Sequence, residues 1–134
     1  MKPKAVFYLR VMDSSKVQGE LALMNRQQIS KEFIITDQPI VEVGGSYNKL
    51  VYMRREIKRL LHLVRTKKLN AVICKNLNNI SRYPLEQIAI EKELLINNCR
   101  LISMGLATSA IDEVEELKWA VENFYYPRKE GDSC

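Results

Sequence analysis

Asn70-Ala71-Val72-Ile73-Cys74 runs into Lys75-Asn76-Leu77-Asn78-Asn79-Ile80-Ser81-Arg82, and Pro84 follows two residues later. The first five residues read as a strand covered on both faces and the next eight as a polar loop. Pro84, whose fixed φ suits a first helical turn, then opens a helix reaching about Asn98. Strand, loop and helix in that order form the repeating unit of a parallel α/β sheet.

Outward from this unit, Ala5-Val6-Phe7-Tyr8-Leu9 is a second apolar run, closed by Arg10. Residues 18–33 place Leu21, Ala22, Met24, Ile29 and Phe33 at roughly helical spacing. Phe33-Ile34-Ile35 and Ile40-Val41-Glu42-Val43 are β-rich, are divided by Asp37-Gln38-Pro39, and end at Gly44-Gly45-Ser46. From Tyr52 to Thr66, Met53, Ile57, Leu60, Leu61 and Val64 mark one stripe of an amphipathic helix. Leu101-Ile102-Ser103-Met104 is a last short strand. Ser109 with Asp112 resembles a capping box, and Ile111, Val114, Leu117, Val121 and Phe124 give a helix over about 110–126 that must end by Pro127. The pattern predicts one α/β domain over residues 1–134, with a mostly parallel sheet core over about 4–104 and helices on both faces.

At 134 residues, 46% hydrophobic and 28% charged, the chain has the usage of one globular domain, which excludes disorder and disulfide scaffolds. No apolar run approaches the ~20 residues of a membrane span and no signal-peptide pattern opens the chain, so a cytoplasmic location is expected. Three scattered cysteines and one histidine make a thin ligand inventory, and neither a metal nor a cofactor is expected.

The net charge of +5 is unevenly spread. Between residues 50 and 69, seven basic residues stand against Glu56 alone, whereas residues 111–123 hold five acidic residues and one lysine. Charge runs are usually solvated faces, but an excess this local suits a polyanion. Arg54, Arg55, Lys58, Arg59, Arg65, Lys67 and Lys68 are the candidate nucleic-acid contacts. His62 on the same helix and Cys74 in the strand read as packing residues.

In open parallel sheets, functional groups gather beyond the carboxyl ends of the strands. The loops there are Arg10 to Lys16, Gly44 to Arg55 and Lys75 to Arg82. Each carries arginine, and none carries a carboxylate pair, a GxxxxGK[ST] cradle or a GxGxxG turn. These loops suit an anion, although arginines at strand ends also pair with carboxylates.

Together the loops resemble the catalytic domain of the serine recombinases, the resolvase/invertase family, over residues 4 to about 104. Tyr8-Leu9-Arg10-Val11 resembles that family's Tyr-x-Arg-x-Ser strand, Gly44-Gly45-Ser46 its Ser-Gly loop, and Arg54 the arginine of its Arg-Pro helix start. Asn76-Leu77-Asn78-Asn79-Ile80-Ser81-Arg82 is similar to its Asp-Leu-Asp-Arg-Leu-Ser-Arg loop. The resemblance implies attack of a serine hydroxyl on a DNA phosphodiester, with arginines in place of metals. Arg10, Arg54 and Arg82 would be the remaining phosphate-binding residues.

The sequence departs from the family at its centre. Met12 stands two residues after Arg10, where the nucleophilic serine belongs, and a thioether has no proton to lose. Asn79 replaces an arginine, Asn78 an aspartate, and Lys16 and Arg26 lie near family glutamines. Ser14 or Ser15 is the alternative nucleophile, although serines after a strand are also ordinary turn formers.

The expectation is a DNA-recombination protein without cleavage activity, dimerising and regulatory, with weak DNA binding. An active strand-exchange subunit and a protein-interaction module without DNA contact are the alternatives. A second copy, DNA and a full-length recombinase are the expected partners, and a membrane is not. The dimer would form through the 110–126 helix, with Trp119 and the tyrosines at its rim. After Tyr125-Tyr126-Pro127-Arg128-Lys129 only Glu130-Gly131-Asp132-Ser133-Cys134 remain, so no separate DNA-binding domain is expected in this sequence.

Overall fold

The computed structural model describes residues 2–36, 38–44 and 54–106. The tip of the loop between Gly44 and Arg54, with Gly45 and Ser46, and the expected helix over 110–126 lie outside the described residues.

Five strands, β1 (Lys4–Val11), β2 (Ile34–Ile35), β3 (Ile40–Val43), β4 (Ala71–Cys74) and β5 (Arg100–Ser103), form one sheet. Every pairing is parallel, in the order β2-β1-β4-β5, and β3 also pairs with β1. β2 lies against Lys4 and Ala5 and β3 against Tyr8 through Val11, so two short strands share one edge of a long one. Thr36, Gln38 and Pro39 lie outside both strands, in the break between them. Pro39, with no N–H to donate, suits the break better than the ladder.

Three helices, α1 (Val17–Arg26), α2 (Arg55–Lys67) and α3 (Pro84–Ile96), cover the sheet. Val6 and Tyr8 of β1 pack with Ile57, Leu60, Leu61 and Val64 of α2 and with Ile90 and Leu94 of α3. Ala5, Phe7 and Leu9, one residue out of phase, pack with Met24 of α1 and with Phe33 on the opposite face. The alternation follows from the two-residue period of a strand, and burial of each such large side chain contributes roughly 1.5–3 kcal/mol.

The helix expected over 18–33 is broken. Gln27 adopts extended backbone (φ −71°, ψ 143°), and a 3-10 turn over Gln28–Glu32 follows. Buried Ser30 explains the stop, since its hydroxyl donates to the Met24 carbonyl at 2.7 Å and satisfies one of the open carbonyls at the end of α1. The strand expected to start at Phe33 starts at Ile34 because Phe33 closes that turn. Gly44 ends β3 at φ +81°, which an L side chain adopts only with strain, and its N–H donates to the Val11 carbonyl at 2.8 Å.

Candidate functional site

The chain leaves β1 toward β2 and β3 on one side and then returns past β1 to β4 and β5 on the other. The order therefore switches between β1 and β4, and in sheets of this type the crevice beyond the carboxyl ends at that switch is where ligands bind. Arg10 and Met12 stand at the end of β1 and Lys75 through Arg82 follow β4, so the two most informative sequence motifs meet at one place.

The β4 loop is shaped by its own side chains. Asn76 Oδ1 accepts the Asn78 N–H at 2.9 Å, which caps a 3-10 turn over Leu77–Asn79, and Asn76 Nδ2 donates to the Leu106 carbonyl at 2.9 Å. Ser81 Oγ accepts the Tyr83 N–H at 3.1 Å and donates to Glu86 at 2.6 Å, launching α3 behind Pro84.

Two arginines from other elements hold this loop by backbone carbonyls. Arg10 Nη1 donates to Asn78 O at 3.4 Å, and Arg54 Nη1 donates to Ile80 O at 2.5 Å. Arg54 is the N-cap residue of α2 and is 5% exposed. Its Nε donates to Glu42 Oε2 at 3.0 Å, while its Nη2 donates to the Tyr8 hydroxyl at 2.9 Å and also to Glu42 Oε1. Tyr8 in turn donates to Glu42 Oε1 at 2.7 Å. The guanidinium, phenol and carboxylate thus form a closed cluster buried beneath the loops.

Burial is the main cause that raises the Tyr8 hydroxyl far above an ordinary phenol, with the Glu42 charge adding to it against Arg54. Burial works against the charge on Arg54, but Tyr8 and Glu42 outweigh it, and its pKa lies above the ordinary arginine value. Glu42 carried no role in the sequence reading. Its signal was a carboxylate inside the apolar run Ile40-Val41-Glu42-Val43, facing inward in step with Ile40.

The remaining sequence candidates divide by position. Met12 is half-buried, and Ser14 and Ser15 are exposed in a 3-10 turn whose N-cap, Asp13, accepts the Ser15 N–H at 2.9 Å. That hydrogen bond holds the Asp13 carboxyl below its usual pKa. Arg82 is half-buried and Asn79 is buried in the β4 loop. Arg55, Lys58, Arg59, Arg65, Lys67 and Lys68 are exposed along α2 and just after it, with Arg59 3.7 Å from Glu56 and Arg65 3.3 Å from Glu93. Lys16 is half-buried and Arg26 exposed.

Nearly buried Lys75 pairs with Glu20 of α1 at 2.8 Å, a contact between the two sides of the crevice that the sequence did not reveal. Burial pushes the Cys74 thiol up to about 12 and the Cys99 thiol up to about 11, so both stay protonated and unreactive at neutral pH. Among the described residues no three His, Cys, Asp or Glu side chains form a cluster able to hold a metal, and no helix is long and apolar enough to cross a membrane.

An open parallel sheet with helices on both faces and arginines at its switch point defines a doubly wound α/β domain suited to anions. This chain belongs to the family described as Resolvase, N terminal domain, which it matches over residues 5–118. Solved structures agree on the fold. The first open reading frame of transposon ISC1904 from Sulfolobus solfataricus P2 superposes with a TM-score of 0.65 at 20% identity, covering 90% of this chain and 82% of that one. The C-terminal catalytic domain of ISC1926 TnpA, an IS607-like serine recombinase, gives 0.66 at 16% identity, covering 89% and 84%. The N-terminal catalytic domain of TP901-1 integrase gives 0.64 at 18% identity, covering 91% and 95%. No curated protein sequence gives a significant match. The chain is a serine recombinase-like domain related to DNA recombination.

Proposed function

We propose that this domain has lost strand cleavage and acts as a dimerising accessory or regulatory protein that holds DNA through the basic face of α2. The observation that carries the reading is Met12, two residues past Arg10 at the carboxyl end of β1. Cleavage by this family's chemistry needs a hydroxyl there to attack phosphorus, and a thioether offers neither a proton to lose nor a stable phosphate ester.

The arginines support an anion-binding history for the crevice. A guanidinium is permanently charged and presents a planar fork that matches phosphate oxygens. Arg10 and Arg82 keep this role in the proposal. Arg54 contributes by holding the β4 loop, since its donors are committed to Glu42, Tyr8 and Ile80. DNA contact falls to Arg55, Lys58, Arg59, Arg65, Lys67 and Lys68, and the dimer to the 110–126 segment.

Ser14 and Ser15 define the active alternative. Each lies two or three residues past Met12, a displacement of several ångström at ~3.3 Å per extended residue, whereas in-line attack tolerates errors below about an ångström.

The test is a nicked suicide DNA substrate incubated with the full chain. No covalent protein–DNA adduct is expected. An adduct that disappears in Ser14→Ala or Ser15→Ala would establish the active subunit instead. Binding to duplex DNA across salt separates the remaining readings: a steep log–log slope supports α2 as a phosphate-binding face, and a flat response leaves the interaction module.

A further inference from the structure

The chain along the outer edge of β1 is longer than the stretch it covers. Lys4 pairs with Ile34 and Tyr8 with Ile40, so six residues of the edge chain span four of β1 and cannot lie flat in the ladder. On the α2 side, the break between β2 and β3 borders a cavity of about 360 Å³ lined by Lys4, Thr36, Gln38, Leu63, Lys67 and Leu69. Pockets for small ligands run from roughly 300 to 1,000 Å³, so this one suits a small molecule.

Its lining has two characters. Leu69, 2% exposed, and half-buried Leu63 supply an apolar floor. Lys4 and Lys67 are exposed at the rim, and among the described residues no carboxylate pairs with either ammonium. Gln38 adds a side-chain amide, and Thr36 Oγ donates to the Gln38 carbonyl at 3.5 Å, which draws the break together. The stretches that build the cavity, residues 2–4, 34–39 and 62–70, hold five lysines and arginines against the single carboxylate of Asp37, which lies outside the described residues. One of the five, Arg65, is taken up by Glu93.

We propose that this cavity binds a small amphipathic carboxylate, an aromatic or medium-chain acid. Its hydrocarbon body covers Leu63 and Leu69 while its carboxylate meets Lys4 and Lys67. Each half of the lining selects one half of the ligand. Two ammonium groups without a carboxylate of their own favour an anion, and hydrogen bonds between charged partners are about twice as strong as neutral ones. The floor selects against inorganic phosphate, which has no apolar surface to bury there. The phosphates of duplex DNA meet the rim and leave the leucines uncovered.

The site is distinct from the crevice. Lys4 and Arg10 stand six residues apart on one strand, about 20 Å at ~3.3 Å per residue. The cavity therefore opens at the amino end of β1 and the crevice at its carboxyl end. α2 is a wall common to both, since Arg54 at its start holds the β4 loop and Lys67 at its end lines the cavity. Leu106, the last described residue, lies at the crevice end, where its N–H donates to the Lys75 carbonyl at 3.0 Å. The chain thus leaves the described residues far from the cavity.

Titration of the isotope-labelled full chain with 2-naphthoate, followed by amide chemical shifts, tests the site. Saturable shifts centred on Thr36, Gln38 and Leu69 are expected, with a dissociation constant on the order of 0.1–1 mM for so small a ligand. The K4Q/K67Q variant keeps its circular-dichroism spectrum, since both side chains are exposed, and binds at least about tenfold more weakly. The neutral analogue 2-naphthalenemethanol shows a similar deficit on the wild type. Inorganic phosphate in tenfold excess leaves the 2-naphthoate titration unchanged.

Absence of saturable binding overturns the proposal, as does a set of shifts centred on the exposed leucines and isoleucines of α3, which marks general apolar contact. Equal binding by K4Q/K67Q, or by the alcohol, overturns recognition of the carboxylate by the lysines. Displacement by phosphate overturns the role of the apolar floor.

Discussion

Arg54 links Glu42 to the carbonyl of Ile80, so one guanidinium ties the end of β3 to the loop after β4, with Tyr8 of β1 closing the ring. Two charges this deeply buried cost much desolvation energy, and only their full hydrogen bonding offsets it. The Glu42→Ala variant, which leaves Arg54 buried without its carboxylate, is expected to lose about 3–5 kcal/mol in urea denaturation. Replacing the pair together, as E42M/R54L, recovers most of that loss. A double-mutant cycle with coupling near zero would show that the contact carries no energy.

Tyr8 gives the cluster a signature in alkali. Its pKa is raised on folding, so its contribution is complete below the ordinary phenol pKa of 10.0 and is lost as pH rises above it, when the unfolded chain releases a proton that the folded chain keeps. Stability measured by denaturant is therefore expected to fall from pH 10 upward. In Tyr8→Phe this fall is shallower, although the variant starts less stable because Glu42 and Arg54 lose a partner. Identical alkaline slopes for the two proteins would refute the assignment.

The start of α3 depends on Ser81, which serves Tyr83 and Glu86 at once. Ser81→Ala is expected to cost about 1 kcal/mol, the usual effect of losing a helix-start side chain of this kind. Leu94→Ala, on the buried face of the same helix, should cost roughly 2–5 kcal/mol, while Leu85→Ala changes monomer stability little. Thermal unfolding at low protein concentration ranks the three.

For the basic face of α2, replacing Lys58, Arg59 and Arg65 by glutamine should lower the salt slope of DNA binding by about 0.9 for each phosphate contact removed. Arg59 and Arg65 already lie near Glu56 and Glu93, so Lys58 is expected to contribute the largest single change. A slope unchanged in the triple variant would place DNA contact elsewhere.

The double replacement Met12→Ser with Asn79→Arg restores two groups that the family resemblance calls for. Weak cleavage of a suicide substrate is the expected gain if these losses silenced the site. No gain at all would mean that the changes at Lys16, Arg26 and Asn78 also matter.

β1, β4 and α2 were legible in the sequence because their signals are local. Two continuous apolar runs and a stripe at Ile57, Leu60, Leu61 and Val64 need no knowledge of neighbours. The fate of Arg54 was not legible, since its partners lie 12, 26 and 46 residues away and only the folded sheet brings them together. The family resemblance placed Arg54 among the phosphate-binding residues, and in the structure its donors meet Glu42, Tyr8 and the Ile80 carbonyl. The broken helix after Arg26 was hidden for a related reason: Ser30 stops it through a hydrogen bond six residues back, beyond the reach of a spacing rule.

The placement of β1 has a consequence for how the molecule is built. β1 pairs on one side with β2 and β3, whose residues lie thirty or more positions later, and on the other with β4, whose residues lie more than sixty positions later. Until Cys74 leaves the ribosome, the apolar run Ala5–Leu9 has nothing to complete it on the β4 side, which makes it a stretch for a chaperone to meet.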